Sequence, residues 1–145
     1  MADFVYNYGG MYLWDGSYDI LTEAALKAAL VTSSYTEDRD DQYADSWNSN
    51  ELSGTGYTSG FGNSGRQALA SKTITIDLSN DRSDFDAADI TWTSIDAGTA
   101  ASLVLLIEDT SDAASPNISH HDFSVTTNGG DVTAQIADAI RLSTV

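Results

Sequence analysis

Lys72-Thr73-Ile74-Thr75-Ile76-Asp77-Leu78 sets apolar against polar side chains at every step. Successive side chains of a strand point to opposite faces, so Ile74, Ile76 and Leu78 share one side and Thr73, Thr75 and Asp77 the other. This pattern predicts a half-buried strand with one wet face, as antiparallel sheets provide. Working outward, Ser79-Asn80-Asp81-Arg82 reads as a turn, which predicts a hairpin with the segment 85–95. Ile90, Trp92 and Ser94 alternate there with Thr91, Thr93 and Ile95. Residues 100–107 are apolar on both faces, as in a central strand covered from both sides. Residues 108–116 read as a loop. Segments 118–125 and 131–136 read as a second antiparallel pair about the turn Asn128-Gly129-Gly130, and 139–142 would close the sheet. The fold class expected is mainly β: an antiparallel β-sandwich or barrel-like single domain with a short N-terminal helix or arm.

The flanking segments are less regular. Residues 3–14 carry Phe4, Val5, Tyr6, Tyr8, Met11, Tyr12, Leu13 and Trp14. Phe4, Tyr8 and Met11 or Tyr12 fall at helical spacing, but Gly9-Gly10 costs a helix about 1 kcal/mol per glycine. A short interrupted helix or an extended arm over 1–20 is expected, followed by the β-domain over 21–145. Residues 22–30 favour a helix by composition and then run into Val31-Thr32, so periodicity leaves helix and strand both open. Residues 34–65 read as a long loop with a short strand near 51–57. A loop that long in a small domain is functional or packs on a neighbour.

Composition bounds the function. The 145 residues suit one domain with a real core, and the chain has no Cys to form a disulfide or thiolate site. Residues 1–10 lack the pattern of a secretory signal, and the strongest apolar run, 103–107, is far shorter than the ~20 residues of a membrane helix. A soluble protein made inside a cell is expected. Asp and Glu number 22 against 6 Lys and Arg, a formal net charge of −16. Such a chain repels phosphate backbones and anionic membranes, so neither nucleic acid nor membrane is an expected partner. Eighteen of the acids are Asp, which suits turns, and this agrees with a loop-rich β protein.

Little in the chain reads as chemistry. Neighbouring His120 and His121 would point to opposite faces of a strand and cannot easily share a metal. Asp38, Asp40, Asp41 and Asp45 form the densest carboxylate group, but Tyr43 and Ser49 stand where an EF-hand needs Gly and Glu. No G-x-S-x-G elbow occurs, and Gly54-Thr55-Gly56 is followed by Ser59 where a dinucleotide loop needs its third Gly. No catalytic residue, cofactor or metal is expected. The aromatic N-terminus (Phe4, Tyr6, Tyr8, Met11, Tyr12, Trp14) and the loop residues Tyr35, Asp38, Asp40 and Trp47 are the candidate interface positions, aromatics being enriched in interface cores. Core packing is the competing reading for the aromatics.

Several motifs follow one another in a fixed order. They are Lys27-Ala28-Ala29-Leu30-Val31-Thr32-Ser33-Ser34-Tyr35-Thr36, then Ser49-Asn50-Glu51-Leu52-Ser53-Gly54-Thr55-Gly56-Tyr57-Thr58, then Lys72-Thr73-Ile74-Thr75. Phe85-Asp86-Ala87-Ala88-Asp89-Ile90-Thr91-Trp92-Thr93 and Thr127-Asn128-Gly129-Gly130-Asp131 complete the series. In this the chain resembles a family of small accessory structural proteins of tailed-phage virions. It departs from that family's pattern at residues 107–111 and 135–142. The resemblance implies a strand over 26–32. It also implies a head decoration (cement) protein on the outer capsid surface, bound to the major capsid protein and assembled as a dimer or trimer. Two alternatives are a tail, neck or fibre-base component, and a host-surface or glycan-binding module using Trp47, Tyr57 or Trp92 as stacking platforms.

Overall fold

The computed structural model describes residues 3–136 and 140–143, with side chains described through Ile140. The chain is mainly β, with one short helix near the N-terminus and antiparallel pairing throughout. In order the elements are β1 (Phe4–Val5), α1 (Asn7–Trp14), β2 (Leu26–Val31), β3 (Gln67–Ala68), β4 (Thr73–Asp77) and β5 (Arg82–Asp86). Then come β6 (Ile90–Trp92), β7 (Thr99–Ile107), β8 (Asn117–Thr126), β9 (Val132–Ala134) and β10 (Ile140–Ser143). They form a five-stranded sheet ordered β1-β8-β7-β2-β3, a three-stranded sheet ordered β10-β5-β4, and the pair β6-β9.

The central strands of the five-stranded sheet, β2 and β7, are buried on both faces. Leu26, Ala28 and Leu30 of β2 join Leu103, Leu105 and Ile107 of β7 in one core, with Tyr57, Trp92, Ile95 and Ile118. On the other face Ala29, Val31, Val104 and Leu106 pack with Phe4, Tyr6, Tyr35, Ala44 and Trp47. This double burial explains why β2 and β7 are apolar at consecutive positions. It also settles residues 26–31 as a strand. The second face is covered by the long loop. Ala44 N–H donates to the Ser115 carbonyl and Asn117 N–H to that of Gln42, while the Trp47 indole donates to the Asn117 side chain (2.8 Å). The loop is therefore a lid on the chain's own sheet.

Two expectations fail for local reasons. The glycine-rich turn 128–130 does not fold β8 and β9 into a hairpin. Gly129 donates to the Ile95 carbonyl and Ile95 to that of Gly130, so the turn is tied to the segment before β7. Consequently β8 pairs with β7 and β1, and β9 pairs with β6. The turn at 79–82 does close a hairpin, but its return strand is β5, not 85–95 as one strand; β6 leaves for β9. Strand β10 pairs with β5 in the small sheet, where a closing strand over 139–142 was expected; residue 139 lies outside the described residues.

The expected burial of β4 also fails. Ile74, Ile76 and Leu78 are 51%, 73% and 82% exposed. On the same face of the sheet, Phe85 and Ile140, in register with Ile74, reach the main core, whereas the far half of the hairpin extends past it. The alternation is right and the cover is missing.

Candidate interaction surface

Helix α1 forms in spite of its two glycines because one of them is needed. Gly9 is buried against β8, where a Cβ would lie 2.6 Å from the carbonyl oxygens of Asn117 and Ile118. Removing the side chain lets the helix backbone lie directly on the strand. Tyr6 N–H donates to the Ile118 carbonyl and Asn7 N–H to that of Arg39, which fixes the entry of the helix. Tyr8, Met11 and Trp14, spaced by three, are left on the outer side, at 38%, 46% and 79% exposure. Tyr12 is half-buried. Its hydroxyl accepts from the Gln42 amide at 2.6 Å, and its ring meets Tyr18 edge-on.

The ten interface candidates thus divide. Phe4, Tyr6, Tyr35 and Trp47 are inside the chain's own core. The Phe4 ring stacks on His120 (4.9 Å, 10°) and is capped by the Arg39 guanidinium, while the Tyr6 and Tyr35 hydroxyls meet at 3.1 Å. Burial raises the pKa of Tyr6 and pushes that of Tyr35 up to about 12, so both phenols stay neutral hydrogen-bonding groups. Tyr8, Met11, Tyr12, Trp14, Asp38 and Asp40 remain accessible to a partner. Trp47, Tyr57 and Trp92 are all essentially buried, which removes them as stacking platforms for a glycan.

The acidic loop spends its carboxylates on local donors. Asp38 accepts from Asp40 N–H, Asp40 from the Asn7 amide and Asp41 from the Tyr35 hydroxyl at 2.7 Å. Among the described residues, no group of three or more His, Asp or Glu side chains is arranged to hold a metal ion. His120 and His121 do face opposite ways. His121 meets Ser119 Oγ at 2.8 Å and lies 3.8 Å from Asp3, and burial lowers its pKa against the opposing pull of Asp3.

One constellation escapes a reading of the sequence altogether. Glu51 and Arg66 are fully buried and paired, with Arg66 Nη2 2.7 Å from Glu51 Oε2 and its Nε bridging both carboxylate oxygens. Arg66 Nη1 reaches Asp112 at 2.6 Å, and its guanidinium lies over the Trp47 ring. Glu51 also accepts from the Tyr57 hydroxyl and Gly60 N–H, and Leu30 N–H donates back to the Tyr57 oxygen. At Gly65 a Cβ would overlap the Tyr57 ring, and the Gly65 carbonyl accepts from the Trp92 indole. The run Glu51–Tyr57 is therefore a buried polar clasp between the long loop, β2 and β6. Every oxygen of Glu51 is engaged, and the group is structural in role.

The accessible surface of note is apolar. Between α1 and the inner face of the β10-β5-β4 sheet runs a groove of two lobes, about 560 and 370 Å³, meeting at Leu13 and Ile140. Met11 and Trp14 line one end, Ile74 and Phe85 the other. Exposed Ile76 and Leu78 carry the apolar track out along the hairpin. No helix among the described residues is long and apolar enough to cross a membrane. Set against family models, curated proteins and solved structures, the chain matches none of the three.

Proposed function

We propose that the chain is a non-catalytic structural protein of a tailed-phage virion, a decoration protein that binds the major capsid protein on the outer capsid surface and stabilises the shell. The ordered series of motifs from Lys27 to Asp131 supports the virion reading. The observation that carries the binding role is the apolar surface running from Trp14 to Leu78. Fully burying a large apolar side chain is worth roughly 1.5–3 kcal/mol. In the single chain Trp14, Ile76 and Leu78 forgo most of that, at 79%, 73% and 82% exposure. Contiguous apolar surface on a soluble protein marks an interaction site. On a shell, each copy docked through it adds buried area between neighbouring subunits, and a dimer or trimer of the chain multiplies that effect.

The experiment is the copy number of the protein in purified virions, with attachment of a surface variant measured alongside. Hundreds of copies per particle support decoration; about six or twelve place the protein at a tail, neck or fibre base, where the symmetry is that of one vertex. The variant has to spare the core. Deleting the N-terminal segment would remove Phe4 and Tyr6 from the main sheet, so Trp14→Ser is the informative change.

A further inference from the structure

The groove between α1 and the small sheet carries more than a generic stickiness. Its lining includes Asp19, and exposed Asp15 stands at the end of α1 beside it. Among the described residues no Lys or Arg lines either lobe. Asp15 accepts from Ser17 N–H and Asp19 from Leu21 N–H, and neither is ion-paired among the described residues. The whole chain adds a field of −16 around this apolar track. Its rim thus attracts cations while its floor takes aliphatic or aromatic side chains.

A second copy of the chain is a poor match for that rim. Of its six basic residues, Lys27 is paired with Glu108, Arg66 is buried on Glu51 and Asp112, and Arg82 is paired with Asp84 and Asp77. Arg39 covers Phe4, and Lys72 is held by the Glu23 carbonyl. A second copy therefore brings a net charge of −16 to an already acidic rim. From this we infer that the groove is the docking site for an apolar segment bearing Lys or Arg, supplied by a different protein. This deepens the attachment reading above and rests on it. The apolar side chains would fill the lobes at Leu13 and Ile140 and run on over Ile74, with the cations set against Asp15 and Asp19.

The test uses the full-length protein and a short fluorescein-labelled peptide alternating valine and lysine, with a valine–glutamate peptide as the charge control. Saturable anisotropy is expected for the lysine peptide alone, weakening about tenfold between ~50 and ~500 mM NaCl. Trp14→Ser and Ile74→Thr should each weaken binding about tenfold, and Asp15→Asn with Asp19→Asn severalfold, whereas Asp45→Asn, outside the groove, leaves it unchanged. Equal binding of the glutamate peptide would overturn the inference, as would an equal loss in Asp45→Asn, which would mean net charge alone. Sedimentation showing a dimer of the free protein that Ile74→Thr dissociates would overturn it too, because a second copy would then fill the groove. A protein present on virions at high copy that ignores the lysine peptide defeats this inference and leaves the attachment reading intact. Peptide binding by a protein absent from virions does the reverse.

Discussion

At the scale of single residues, the clasp around Glu51 is the most consequential arrangement in the chain. A fully buried arginine is tolerable only while its carboxylates stay in place. Glu51→Ala leaves Arg66 with Asp112 as its closest carboxylate and strips the partner from the Tyr57 hydroxyl; a loss of roughly 3–5 kcal/mol is expected in urea unfolding. The double change Glu51→Leu with Arg66→Met should cost less than Glu51→Ala, because the two fully buried charges leave together, while Glu108 keeps Lys27 and Asp112 keeps the Asn48 amide. His121 makes a second prediction, in the acid range. Its folded pKa lies below its ordinary 6.5, chiefly through burial, so the unfolded chain binds the proton more readily. Its contribution to stability is complete above pH 6.5 and declines as pH falls from there towards the folded value. Asp3→Asn should lower the pKa further by removing the opposing pull. An NMR titration of the His121 ring reads both, and a midpoint at or above 6.5 would reverse the assignment of burial as the dominant cause.

At the scale of elements, α1 and β4 show how far local pattern reaches. Two adjacent glycines argue against a helix, and propensity alone would place an interruption there. Contact with β8 decides otherwise, through Gly9 and not Gly10, since a Cβ at Gly10 would meet nothing closer than Val5 Cγ1 at 3.8 Å. Gly9→Ala should therefore destabilise the protein by ~1–3 kcal/mol, and Gly10→Ala should be neutral or gain up to ~1 kcal/mol from helix propensity. Thermal unfolding of the pair separates the two, and equal effects would refute the packing account. For β4, the alternation was legible and its cover was not, because period two assigns faces without saying what lies over them. Ile76→Thr should change the stability of the free protein by no more than ~0.5 kcal/mol, as fits a side chain 73% exposed. A loss above 2 kcal/mol in urea unfolding would mean that Ile76 is covered within the single chain. Strand β7 was readable because burial on both faces writes a continuous apolar run. The separation of β8 from β9 was not, because the glycines at 129 and 130 bond back to Ile95, some 35 residues earlier in the chain. Glu51 and Arg66 meet across 15 residues of irregular loop, where no periodicity links them.

At the scale of the whole molecule, the architecture is a five-stranded sheet whose central strands are buried on both faces, with a smaller sheet beside it, and the acidic loop covers one of those faces. Tyr35 and Trp47, read as contact residues, close the second face of the main sheet, and Trp47→Ala should cost about 3–5 kcal/mol for that reason. What remains outside is the apolar track from Met11 and Trp14 across Ile140 to Ile74, Ile76 and Leu78. It was half legible: the aromatic N-terminus and the alternating strand were both visible, but only their placement along one groove joins them into a surface. The claim that this surface attaches the protein to a virion is tested most directly by one comparison. Virions assembled with the wild-type chain and with Trp14→Ser plus Ile76→Thr are purified, and the bound copies are counted against the major capsid protein. Hundreds of wild-type copies are expected, and at least a tenfold loss in the variant, with its unfolding midpoint unchanged. Equal retention of a folded variant, or wild-type protein absent from the particles, would contradict it.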